Sequence, residues 1–98
     1  MVKSRGSTLS VFDDLYPPAE SRAMELRSQL LSELQHWVEA SGLKQADIAE
    51  RLGVDQPRVS DIKNGKLSRF TIDKLVEMAA RAGLTTRLTV SRKQSKAA

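Results

Sequence analysis

The chain has no cysteine. Disulfides and thiolate metal sites are therefore excluded, although this alone does not assign a compartment. It has one histidine, His36. With no thiol and no histidine partner for a serine, nucleophilic catalysis has no candidate. There is no long apolar run, and the N-terminus lacks the hydrophobic core of a secretion signal. These absences read as a soluble cytoplasmic protein without a membrane partner. Internal repeats and low-complexity tracts are also missing.

Other reactive constellations fail on inspection. Glu33 and His36 have the Glu-x-x-His spacing of di-iron bundles, but that site needs a second such pair and further carboxylates. His36 lies off the apolar stripe of its segment and reads as a solvated side chain. Asp13 and Asp14 are adjacent, so on extended chain they point apart and do not form an acid–base pair. From Ser60 to Ser68 the chain faintly resembles a phosphate loop, yet Ser60 and Leu67 stand where glycine and Ser/Thr are required. No enzyme, no cofactor and no metal are expected.

What is present fits one small domain. Ninety-eight residues support a modest core, a size at which oligomerisation often adds stability. The net charge is +4 and the pI about 9.8. Its distribution is more informative than its sum. Arg58, Lys63, Lys66 and Arg69 fall within twelve residues that contain one acid, Asp61.

That cluster begins inside the most structured stretch, Lys44 to Gly65. Ala46, Ile48, Ala49 and Leu52 recur at helical spacing. Val59 and Ile62, three apart, share a face of a second helix. Between the two lies Gly53-Val54-Asp55. Glycine accepts the positive φ of a tight turn. Asp55 can cap the second helix, and Pro57 suits its first turn. Gly65 ends it. Two helices joined by a short glycine-containing turn form a helix-turn-helix. The run Gln45-Ala46-Asp47-Ile48-Ala49, Gly53-Val54, Gln56-Pro57-Arg58-Val59-Ser60, Ile62, Asn64-Gly65 closely resembles the lambda-repressor-like (XRE, Cro-type) DNA-binding family. The resemblance extends more weakly over residues 26–84. It implies an all-α, lambda-repressor-like bundle of four to five helices. Lys44 departs from it, standing where the family often has a capping Thr or Ser.

The flanks complete the domain. Residues 1–18 read as an arm, polar from Lys3 to Thr8 and then carrying Leu9, Val11, Phe12, Leu15 and Tyr16. Phe12 and Leu15 either staple the arm to the chain's own helices or form a docking segment. Residues 19–83 hold the helix-turn-helix domain. Its first helix, 19–41, carries a stripe of Ala23, Leu26, Leu30, Leu34 and Trp37 at steps of three and four. Met24, Leu31 and Val38 form a shoulder that either covers more core or makes a protein interface. Thr71 can cap a helix over 72–82, with Phe70 packing on Leu75 as a hydrophobic staple. Ile72, Leu75, Val76, Ala79 and Ala82 supply its inner face. Residues 84–91 alternate apolar and polar, which predicts a short C-terminal β-strand. It would pair with the arm or with a second chain. Residues 92–98 form a basic tail.

Val59 and Ile62 face inward, so Gln56, Pro57, Arg58, Ser60, Asp61 and Asn64 ring the outer side of the second motif helix. The resemblance places Gln56, Pro57, Arg58 and Asp61 at base-reading positions. Gln can pair bidentately with adenine and Arg with guanine, and Asp can accept from cytosine. Asp61 alternatively forms a surface pair with Arg58. The resemblance also implies a phosphate bond for Gln45 at its helix N-terminus. Lys44, Ser60, Lys63, Asn64, Lys66 and Arg69 are further phosphate candidates, any single lysine being equally explained as solvated.

Within the family, the apolar-spiked arm, the very apolar long helix and the motif together resemble HigA-type antitoxins. That resemblance implies a homodimer repressing its own operon at an inverted-repeat operator in double-stranded DNA. It also implies capture of a RelE/HigB-like toxin, with Phe12, Leu15, Tyr16, Met24 and Leu31 as candidate contacts. The alternative is a prophage-type or other bacterial regulator without a toxin. An adaptor using the fold only for protein contacts is a third class, at odds with the intact reading helix.

Overall fold

The computed structural model of the protein describes residues 18–92. The arm candidates Phe12, Leu15 and Tyr16 and the tail from residue 93 lie outside the described residues. Among the described residues four α-helices follow one another: α1 Pro18–Ser41, α2 Gln45–Leu52, α3 Gln56–Lys63 and α4 Ile72–Arg81. One 3₁₀ turn, Leu67–Arg69, links α3 to α4.

Each boundary has a local cause. Proline at the first position of α1 loses no intrahelical hydrogen bond. Glu20 adds an acid to its first turn, where the helix dipole favours negative charge. Helix α2 starts at Lys44 with no side-chain cap. It ends at Gly53, whose φ of 73° is left-handed. The Val54 amide donates to the Ala49 carbonyl at 2.9 Å and the Gly53 amide to that of Glu50 at 3.2 Å. This is the Schellman arrangement, and it makes the turn of the motif. Asp55 then caps α3, its Oδ1 accepting from the Arg58 amide at 3.1 Å. Thr71 caps α4 in the same way, accepting from the Lys74 amide at 3.1 Å. Asp55→Ala is expected to cost about 1 kcal/mol of stability. A thermal melt unchanged by the substitution would show that the cap carries no weight.

Helix α1 packs on α4 and α3, and α2 packs on α3 and α4. The core lies between them. Leu34, Val59, Ile62, Leu75 and Met78 have no exposed surface, and Phe70 is buried beside them. From α2, Ile48, Ala49 and Leu52 point into it, while Ala46 remains exposed. Burying a side chain of Leu or Phe size stabilises by roughly 1.5–3 kcal/mol, so this cluster is the main source of stability.

Three expectations need correction. The first concerns α1. Its core face is Leu31, Leu34 and Val38, with Leu30 and Trp37 packed partly buried against it. The shoulder residues Leu31 and Val38 are therefore core. Leu31 is 4% exposed and offers no surface to a toxin. Met24 is half-buried. The apolar residues of α1 cover more than one face, and packing on two other helices selected the rotation. Second, in α4 Met78 is buried and Val76 is exposed, so the inner face is rotated from the one read off the sequence.

Third, the β-strand at 84–91 is absent. No strand occurs among the described residues, and residues 84–92 have no regular secondary structure. The Leu84 amide donates back to Ala79 at 2.9 Å, which closes α4. Beyond it, residues 85–92 are exposed. Alternation marks a two-faced segment, but a ladder also requires a neighbouring strand to accept its hydrogen bonds. None of the described helices is long and apolar enough to cross a membrane. No group of three or more His, Asp or Glu that could hold a metal ion occurs among the described residues.

Candidate nucleic-acid interface

Helix α3 is eight residues long and divided lengthwise. Val59 and Ile62 are fully buried and fix it to the core. Gln56, Pro57, Lys63 and Asn64 are exposed, and Arg58, Ser60 and Asp61 are half-buried. The outward row anticipated from the spacing is thus assembled on one surface. Lys66 and Arg69 are exposed beside its C-terminal end, and Lys44 is exposed at the start of α2.

Arg58 and Asp61 are joined. Nη1 of Arg58 donates to Oδ2 of Asp61 at 2.7 Å. The side chains are 34% and 17% exposed, so solvent screens the pair and its contribution to stability is at most about 1 kcal/mol. Its geometric effect is larger. A guanidinium has five N–H donors in a planar fork. With Nη1 engaged, Nε and Nη2 remain available as a parallel pair of donors. The carboxylate therefore restrains the arginine without exhausting it.

Gln45 takes part in a bond inside the motif. Its Nε2 donates to the Gln56 carbonyl at 3.1 Å, tying the first turns of α2 and α3 together. The amide retains a second N–H donor. Asn64 Nδ2 lies 3.4 Å from Ser60 Oγ, a long hydrogen bond between two of the phosphate candidates.

Two supporting residues were not legible as such. Gln35 of α1 donates from Nε2 to the Ile62 carbonyl at 2.9 Å, anchoring the C-terminal end of α3. A Cβ added at Gly65 would lie 3.3 Å from that same nitrogen, so the tie also constrains the turn after α3. The available signal was a glutamine at helical spacing from Leu31 and Val38. A polar group on a buried face needs a partner. Arg81 is the second. Its guanidinium covers the motif turn, where a Cβ on Gly53 would approach Cζ to 2.9 Å. Nothing in the spacing links positions 53 and 81.

The comparisons agree with this geometry. A family model described as a helix-turn-helix domain matches residues 11–91. A solved structure described as an XRE-family transcriptional regulator matches with a TM-score of 0.70 at 25% sequence identity. The match covers 79% of this chain and 86% of that one. No curated protein matches the sequence significantly. The chain accordingly belongs to the helix-turn-helix domain family.

Proposed function

We propose that this protein is a sequence-specific DNA-binding transcriptional repressor that inserts α3 into the major groove and acts as a dimer on an inverted repeat. The observation that carries this reading is the division of α3. Two fully buried residues, Val59 and Ile62, hold the helix, while Gln56 and Pro57 are exposed and Arg58 and Asp61 half-buried beside them. An α-helix fits the major groove, where each base pair presents a distinct set of donors and acceptors. Gln45, Lys44, Ser60, Lys63, Asn64, Lys66 and Arg69 flank that row and supply phosphate contacts, which position the helix without reading sequence.

Selection from a random duplex library tests the reading. Enrichment of an inverted repeat with half-site centres about 34–36 Å apart, or a multiple of that, is expected. Lys66→Ala should weaken binding to all sequences alike and reduce the salt slope by roughly one. A library that returns no preferred sequence would sink the proposal.

The antitoxin role is the more specific form of this reading. It is supported by the apolar residues Phe12, Leu15 and Tyr16 in the N-terminal arm and by the resemblance to HigA-type proteins. Met24 remains as a partly exposed candidate on α1, and Leu31 is withdrawn. A few large anchors must supply the energy of such docking. Phe12→Ala with Leu15→Ala should abolish copurification with a RelE/HigB-like toxin encoded next door, leaving operator binding intact. Undiminished toxin capture by the doubly substituted chain would leave the protein a regulator without a toxin.

A further inference from the structure

Helix α3 is fixed by packing as far as Ile62 and not beyond it. Val59 and Ile62 are fully buried. Residues 63–66, which follow, are all exposed. The next side chain packed against the core is Leu67. On the α1 side of this stretch lies an open hollow of about 440 Å³, lined by Gln35, Val38, Glu39, Leu43, Ile48 and Lys63. Side-chain packing therefore does not hold the end of α3 there.

A hydrogen bond does. Gln35 Nε2 of α1 donates to the Ile62 carbonyl at 2.9 Å. Among the described residues it is the only side-chain hydrogen bond that joins another helix to residues 62–66. The same carbonyl accepts from the Gly65 amide at 3.0 Å, and the Lys66 amide donates to the Asp61 carbonyl at 3.0 Å. These two backbone bonds close the turn that carries Lys66. One side-chain donor thus fixes the carbonyl on which that turn is built.

We propose that Gln35 is a positioning residue for contacts to the backbone of duplex DNA: by holding the Ile62 carbonyl it sets where Lys63, Asn64 and Lys66 meet the phosphates. The proposal rests on the DNA reading given above. Without Gln35 the Ile62 carbonyl keeps the Gly65 amide as a partner. No buried acceptor is orphaned, so the fold persists. What is lost is a restraint on three exposed side chains. Order missing before binding must be supplied during it, which weakens the complex. Phosphates carry no base identity, so the loss falls on every sequence alike. That separates Gln35 from Gln56 and Arg58, whose loss relaxes single base positions.

Gln35→Met keeps the length of the side chain and removes the donor. Binding of the full chain to its selected operator and to an unrelated duplex should weaken by the same factor. The factor should be about threefold to tenfold, the net worth of one hydrogen bond. The sharper measurement combines Gln35→Met with Lys66→Ala. If Gln35 acts through this end of α3, the two losses are less than multiplicative. A merely structural role predicts full multiplication. Binding is measured well below the melting temperature of every variant, so unfolding does not enter. Without DNA, amide hydrogen exchange at Gly65 and Lys66 should quicken in Gln35→Met while the amides of α4 keep their protection. Unchanged exchange, fully multiplicative losses, or a loss confined to one base position would overturn the assignment of Gln35 alone. A wild-type chain that binds no duplex would instead overturn the DNA reading, and this proposal with it.

Discussion

Phe70→Ala should lower the free energy of unfolding by about 3–5 kcal/mol, the cost of truncating a buried aromatic. Phe70 is 2% exposed. It sits between the 3₁₀ turn that carries Lys66 and Arg69 to the end of α3 and the Thr71 cap that starts α4. Removing the ring leaves a void against the core and frees the loop that presents those two cations. A domain of this size is stable by roughly 5–15 kcal/mol in total, so the loss consumes a large part of the margin. Urea titration should show a lower midpoint with an unchanged slope, and DNA binding should decline at temperatures where the wild type still binds. Phe70→Leu keeps most of the volume and should cost less. An unchanged midpoint for the alanine variant would contradict the core described above.

Arg58→Ala should cost about 1–3 kcal/mol of binding at one base position and relax specificity there. Its effect on folding should be far smaller, since the Arg58–Asp61 pair is partly exposed and worth at most about 1 kcal/mol. Asp61 distinguishes two roles. If it only steadies the guanidinium, Asp61→Ala relaxes the same base position as Arg58→Ala, and the double substitution adds little. If it accepts from a cytosine, a second position relaxes and the two losses approach additivity. Binding measured on operators changed one base pair at a time separates these outcomes. If Arg58→Ala binds every single-base variant as the wild type does, the arginine does not read DNA.

The parts of this fold that were legible are those with local causes. Asp55 and Thr71 accept from amides three residues on, and Gly53 and Gly65 adopt positive φ. Such signals act within one turn of chain and need no knowledge of the rest. Rotation of the helices about their axes was harder. Ala23, Leu26, Leu30, Leu34 and Trp37 form a consistent stripe, yet Leu31 and Val38 are buried with Leu34 while Leu26 borders a groove. When a helix is apolar over more than one face, the neighbours decide which face is core. The same holds for Val76 and Met78 in α4. The alternation of residues 84–91 was real, but a strand is a relation between two segments, and the described chain provides only one. The outward row on α3 was anticipated because Val59 and Ile62 determine what faces away. Its supports, Gln35 and Arg81, act over long sequence separations and left only a faint trace.

The lengthwise division of α3 has a consequence for how such a protein can diverge. Inward and outward positions alternate within eight residues, so two selective demands act on the same stretch with little interference. Val59 and Ile62 answer to folding and tolerate almost no change of volume. Gln56 and Pro57 are exposed and can be exchanged without disturbing the interior, so under the DNA-binding function proposed above a lineage can acquire a new target site without losing its scaffold. Arg58 and Asp61 are the exception. Their contact couples two outward positions, and a change in either alters what the other can present. Drift at these two positions should therefore be paired, while Gln56 and Pro57 wander independently.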